Sequence, residues 1–76
     1  MKTIKIGVQK SDHQTNYYIM DDSGKNLGHL FYIQVYSTSE NKILGITEAE
    51  HRREVCERVM YCTLAAVGFE PIFVAI

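Results

Sequence analysis

The segment from Thr47 to Gly68 carries helix signals at both ends and has the length of one long helix in a sequence of 76 residues. Thr47 and Glu50 have the spacing of a capping box, in which the threonine hydroxyl accepts a hydrogen bond from an amide of the first turn. Gly68 stands where helices commonly end with a residue in the left-handed region. The sequence therefore predicts a helix over residues 48–67, and this helix can cover one face of a sheet.

The rest of the chain has the pattern of strands and turns. Residues 3–9 alternate apolar and polar side chains, residues 17–20 are rich in strand-forming types, and residues 27–36 form the longest such segment. Polar turns separate these segments. After Pro71, residues 72–76 are a continuous apolar run, which is typical of a strand that is covered or paired on both sides.

The order β-β-β-α-β restricts the topology. Short turns make the first three strands an antiparallel meander, and a right-handed helical crossover returns the last strand parallel to the first. The predicted fold is a single α+β domain, residues 1–76, with strand order 3-2-1-4. This layout resembles the opening half of ribonuclease-H-like folds, whose first strand carries a metal-binding aspartate. This chain has Lys5, Ile6 and Gly7 there, so the resemblance implies a strand order and no site residue.

Charge and cysteine content narrow the classes of function. Eight Lys and Arg against nine Asp and Glu give a net charge of −1, without the basic excess of a duplex-binding protein. Cys56 and Cys62 point about 240° apart on one helix and cannot bridge each other. Free thiols and the absence of a signal-peptide pattern lead us to expect a cytoplasmic protein. The apolar stretches are shorter than the ~20 residues of a membrane-spanning helix, so we expect no membrane partner.

No residue pattern predicts an enzyme, a cofactor or a metal site. Ser11, Asp12 and His13 have the residue types of a catalytic triad, but adjacent residues cannot converge as a triad requires. Asp21 and Asp22 fit a solvated hairpin turn. The His and Cys positions lack the spacings of metal ligands. We therefore predict a non-enzymatic protein with no cofactor and no metal.

Alternation along the third strand assigns its side chains to two faces. Leu30, Tyr32 and Tyr36 fall on the face away from the helix, while His29 shares the other face with Phe31. No second group supports an acid–base role for His29, so we interpret it as a partly buried residue near a strand end.

The face away from the helix is the predicted binding surface. Exposed tyrosines on a rigid sheet suit recognition of a protein or stacking of single-stranded bases, and ordinary cross-strand packing would also place them there. Little positive charge accompanies them, so we favour a protein partner. Arg52 lies within the helix's apolar arc, where it either extends to water or anchors an acidic group of a partner. The predicted partner-binding residues are Tyr32, Tyr36, Leu30, Arg52 and one of Tyr17 and Tyr18, of which we choose Tyr17.

The last third of the chain predicts self-association. From Val59 to Val67 the helix carries no charge, and it has apolar side chains outside its main arc. The last strand would be an edge strand without the charges that normally protect such edges. We expect a homodimer or a stable hetero-complex that uses Tyr61, Leu64, Phe73 and Ile76.

Together these features favour a small binding protein. We predict a self-associating protein–protein interaction module that acts as an adaptor or inhibitor of a larger complex. Small chains without catalytic groups often have this role in phages and mobile elements. The alternative is a single-stranded nucleic-acid-binding protein that uses the tyrosine face, for which oligonucleotide binding would depend steeply on salt. An enzyme completed by groups from a dimer partner is a third hypothesis.

Overall fold

A sheet and a long helix dominate the part of the chain that the computed structural model describes, which is residues 2–11, 13–34, 42–43 and 46–76. The elements within these ranges are β1 (Lys2–Lys10), β2 (Gln14–Met20), β3 (Asn26–Gln34), β4 (Lys42–Ile43), β5 (Ile46–Thr47), α1 (Glu48–Ala66) and β6 (Phe69–Ala75). The sheet has the order β3-β2-β1-β6, and β4 pairs with β5 in a separate short ladder. The predicted α+β class and strand order are confirmed, with β6 in the fourth place.

β1 is an inner strand of the sheet. It pairs antiparallel with β2, so that Val8 lies opposite Tyr17, and parallel with β6, so that Ile6 lies beside Phe73. This position buries Ile6 and Val8. Pro71 lies inside β6 beside Ile4, which an edge strand tolerates because a proline cannot donate to a strand ladder.

The strand bounds differ from the sequence prediction at β2 and β6. β2 begins at Gln14, three residues earlier than predicted, because the amide and hydroxyl of Ser11 both donate to the Gln14 carbonyl and tighten the turn. β6 begins before Pro71, because pairing with β1 starts at Phe69. The predicted end of the third strand at Tyr36 lies outside the described residues.

Asp21 organises the turn between β2 and β3. Its Oδ1 accepts from the amides of Ser23 and Lys25, both at 2.9 Å, and from the Ser23 hydroxyl at 2.6 Å. These bonds lower the pKa of the Asp21 carboxyl, and the bond from the Ser23 hydroxyl has the largest effect. Gly24 supplies the positive φ of 89° that the turn needs.

Both predicted ends of the helix are observed to within one residue. Thr47 Oγ1 accepts from the amide of Glu50 at 3.2 Å, as an N-cap does. At the other end Gly68 has φ 90°, and its amide donates to the Ala65 carbonyl at 3.1 Å, which is one of the hydrogen bonds of a Schellman motif. α1 therefore ends where its local sequence predicts.

The core is small and comes mostly from the sheet. Among the described residues, the buried hydrophobic side chains are Ile6, Val8 and Tyr17, and Thr15 is buried beside them. The helix packs mainly along β6. The partly buried side chains around this core are Ile4, Phe31, Ile33, Cys56, Met60 and Phe73.

Candidate functional site

Leu30 is an extra residue in β3, and it changes which side chains share a face. Tyr18 pairs with His29 and Tyr17 pairs with Phe31, so Leu30 has no counterpart on β2. The predicted faces of His29 and Leu30 are therefore wrong. His29 lies on the face away from the helix, whereas Leu30 borders a cavity on the helix side together with Phe31.

The bulge brings three aromatic rings together on the face away from the helix, which we call the open face. The centroid of His29 lies 5.1 Å from that of Tyr18, nearly edge-on, and 6.4 Å from that of Tyr32. His29 Nε2 lies 3.0 Å from Asn16 Oδ1, within hydrogen-bonding distance. We call Tyr18, His29 and Tyr32 the aromatic cluster.

The prediction that Tyr17 belongs to the binding surface is wrong, and Tyr18 takes that place. Tyr17 is fully buried, because it pairs with Val8 on the helix side and stacks on Phe31 with centroids 5.0 Å apart. Tyr32 is 54% exposed, as a surface residue should be. Tyr36 lies outside the described residues.

The other half of the open face is apolar. Ile72, Val74 and Ile76 are exposed there. A Cβ on Gly7 would lie 2.5 Å from Met20 Sδ and 2.9 Å from Ile76 Cδ1, so these two side chains close over the glycine. Lys5 donates from Nζ to the Asp22 carbonyl at 3.0 Å, which draws its charge toward the β2–β3 turn.

On the helix side, α1 leaves part of the sheet uncovered. Two adjoining cavities of about 200 and 350 Å³ lie between α1 and the β2–β3 half of the sheet, and Phe31, Met60 and Thr63 border both. We call them the apolar groove, because no charged residue is among the described residues that line it. Those residues are Ile4, Ile6, Ile19, Leu30, Phe31, Cys56, Val59, Met60, Thr63 and Leu64.

α1 itself carries exposed apolar side chains next to this groove. Val55 is 46% exposed and Val59 is 60% exposed, and none of the 19 residues of α1, all of them described, is buried. The side chains on this part of the helix form the exposed stripe: Val55, Val59, Cys62, Thr63 and Ala66. These residues belong to one broad apolar arc around the helix, and the sheet contacts only part of that arc.

The four predicted self-association residues do not form one surface. Leu64 lines the apolar groove, although its helical angle was expected to point it away from the sheet. Phe73 is partly buried against the core, beside Glu57. Tyr61 is exposed one turn after Glu57, and Ile76 lies on the open face.

Arg52 links the first turns of α1 to the end of β3. Its Nη1 donates to the Gln34 carbonyl at 3.2 Å, and its Nη2 lies 3.4 Å from Glu48 Oε1. The side chain is still 54% exposed. Arg52 therefore has an intramolecular role in addition to any contact with a partner.

Three ionisable side chains near the helix–sheet junction have shifted pKa values. Burial raises the pKa of the Tyr17 hydroxyl and of the Cys56 thiol, in each case more than the neighbouring charges do. Burial also raises the pKa of the Glu57 carboxyl, against Lys10 and Arg53, which lower it. Among the described residues, no group of three His, Cys, Asp or Glu side chains is arranged to hold a metal ion.

The comparisons with known proteins give no match. No family model matches the chain, and neither do the curated proteins or the solved structures. The resemblance to ribonuclease-H-like folds therefore remains one of strand order. Within the described ranges, no helix has the length and apolar character needed to cross a membrane.

Proposed function

We propose that this protein is a non-enzymatic protein–protein interaction module that self-associates and acts as an adaptor or inhibitor of a larger complex. The observation that carries the proposal is the uncovered state of α1: a 19-residue helix in which no residue is buried, lying beside an apolar groove. A surface helix normally buries one face against its own domain. Adjoining apolar surface of this kind marks interaction sites in soluble proteins.

The aromatic cluster supports a second contact surface on the opposite side of the sheet. Tyrosines contribute large contact areas at protein interfaces at a low cost in side-chain entropy. The rings of Tyr18, His29 and Tyr32 lie close to one another, and Tyr32 is 54% exposed. We propose that this cluster contacts the hetero-partner, while the helix side serves self-association.

The free cysteines bear on the cellular compartment in which the protein acts. Cys56 and Cys62 are free, and Cys62 is exposed. An exposed thiol persists in a reducing compartment. We therefore propose that the protein acts in the cytoplasm.

Affinity capture from native lysate tests the interaction function. Tagged wild type is compared with Tyr32→Ala on the open face and with Glu54→Gln, a matched surface variant on the charged side of α1. Mass spectrometry should identify a protein that wild type and Glu54→Gln retain and Tyr32→Ala loses. Retention of no protein, together with a monomer in sedimentation, would contradict the proposal.

Single-stranded nucleic-acid binding is the second candidate function, and the aromatic cluster is the observation that favours it. Bases stack on exposed aromatic side chains of open sheets. The net charge of −1 and the engagement of Lys5 with Asp22 weigh against it, because phosphate contacts need available cations. Titration of labelled oligonucleotides at several salt concentrations decides this, since a steep loss of affinity with salt would support nucleic-acid binding.

A further inference from the structure

The apolar groove has the width of one helix. Four strands at about 4.8 Å spacing make a sheet roughly 19 Å wide, whereas a helix with its side chains is about 10 Å across. α1 lies toward the β6 edge, where Glu57 borders Phe73 and Ala75. The β2–β3 half of the sheet therefore lacks a helical cover among the described residues, and the groove is what remains open.

We propose that α1 of a second copy of this chain fills the groove, and that the first copy's α1 fills the second copy's groove in return. The two helices then lie side by side and parallel between two outer sheets, related by a two-fold axis that runs along them. This inference rests on the proposed self-association and names its surface. It keeps Leu64, which lines the groove, and replaces the other three residues with one contiguous patch that is self-complementary, as a two-fold interface requires.

The side chains of α1 are distributed as this arrangement requires. The residues facing its own sheet include Arg53, Met60 and Leu64, and the exposed stripe is centred about 140° away around the helix. A helix with two apolar sides can pack against two sheets at once. Glu54 and Arg58 lie on the remaining side, where they keep contact with water.

The absence of charged residues in the groove also favours α1 of a second copy as its occupant. The described residues lining the groove are uncharged, so an inserted element must present an uncharged surface or leave a charge buried without a partner. From Val59 to its end α1 has no charged residue, so this half of the helix enters the groove, and the exposed Arg52, which lies at the angle of the stripe two turns earlier, stays outside it. The exposed stripe has small side chains, which allow the two helices to approach closely.

The groove and the uncharged part of α1 match in length. The groove adjoins residues 56–64 of α1, and the uncharged part covers residues 59–66, so that each spans about 12–14 Å of helix. The second half of one α1 therefore fits the groove beside the second half of the other.

Sedimentation equilibrium over a concentration series tests the inference. Val59→Lys places a charge in the groove of the other copy, whereas the control Ile72→Lys places the same charge at an exposed apolar residue of the open face. We expect a wild-type dimer, at least a tenfold rise in its dissociation constant in Val59→Lys, and no change in Ile72→Lys. A wild-type monomer, or a dimer that only Ile72→Lys disrupts, would overturn the inference.

Cysteine cross-linking provides a readout that does not depend on the charge introduced by Val59→Lys. Because the two-fold axis runs between parallel helices, Val59, which lies on the groove side of the stripe, faces Val59 of the second copy. In a Cys56→Ser, Cys62→Ser background, Val59→Cys should form a disulfide-linked dimer on mild oxidation, and Glu54→Cys should not. Equal cross-linking of both variants would contradict the arrangement. A monomer that still captures a protein partner would refute the inference and the self-association but not the binding of another protein, whereas a monomer without a partner would refute the whole proposed function.

Discussion

Tyr18 lies directly across the sheet from His29, with ring centroids 5.1 Å apart and planes at 71°. This pairing exists because the bulge at Leu30 shifts the register of β3 by one residue. A shift of one residue exchanges the two faces of a strand. The bulge therefore places a histidine among tyrosines on the open face and turns Leu30 toward the apolar groove.

Tyr32 provides the most direct test of the open face. Because it is 54% exposed, we expect Tyr32→Ala to abolish retention of the protein partner while changing the free energy of unfolding by less than about 1 kcal/mol. Phe31→Ala, on the neighbouring residue, should instead cost about 3 kcal/mol, because its ring stacks on Tyr17. Urea unfolding of both variants measures this difference. Unfolding of the Tyr32 variant would mean that the ring is structural.

Features set by local chemistry were predictable from the sequence. Thr47 and Gly68 fixed the helix ends, and a crossover between the third and last strands fixed the parallel pairing of β6 with β1. The bulge escaped prediction because β3 has apolar residues on both of its faces, so that its hydrophobic pattern does not report the register. Gly28 was the available signal, since an isolated glycine within a strand often accompanies a bulge.

The contacts of α1 could not be predicted for a different reason. Its arc of small apolar residues is wider than the strip of helix that one sheet can touch, so the sequence does not determine which part contacts the sheet. The structure selects the part with Met60 and Leu64 and leaves Val55 and Val59 exposed. The position of the apolar groove depends on which part of α1 faces the sheet, so it could not be predicted from the sequence.

The N-cap offers a prediction about stability. Thr47 Oγ1 satisfies the amide of Glu50, so Thr47→Ala should lower the free energy of unfolding by about 1 kcal/mol. Glu54→Ala is the control, because alanine at an exposed mid-helix position outside the groove should be neutral or stabilising by a few tenths of a kcal/mol. Equilibrium urea unfolding compares the two variants. Equal shifts would show that the cap does not contribute.

The hydroxyl of Tyr17 should be dispensable for stability. It is buried and has no hydrogen-bond partner among the described residues, a situation that costs about 1–3 kcal/mol. Tyr17→Phe keeps the stacking on Phe31 and removes the hydroxyl, so we expect the free energy of unfolding to rise by about 1 kcal/mol. Tyr32→Phe, which removes an exposed hydroxyl, should leave it unchanged. A loss of stability in Tyr17→Phe would reveal a bound water or a partner group at that oxygen.

Glu57 should make stability depend on pH in the direction opposite to a carboxylate held in an ion pair. Burial raises the pKa of its carboxyl in the folded state. Its contribution is therefore fully present below the unfolded pKa of about 4.3 and is lost as the pH rises through the higher folded value. Glu57→Gln removes the charge, so it should be more stable than wild type at pH 7 and equal to it near pH 3. Unfolding at both pH values measures this, with the exposed Glu54→Gln as the control. A less stable Gln variant at pH 7 would mean that attraction to Lys10 and Arg53 outweighs burial.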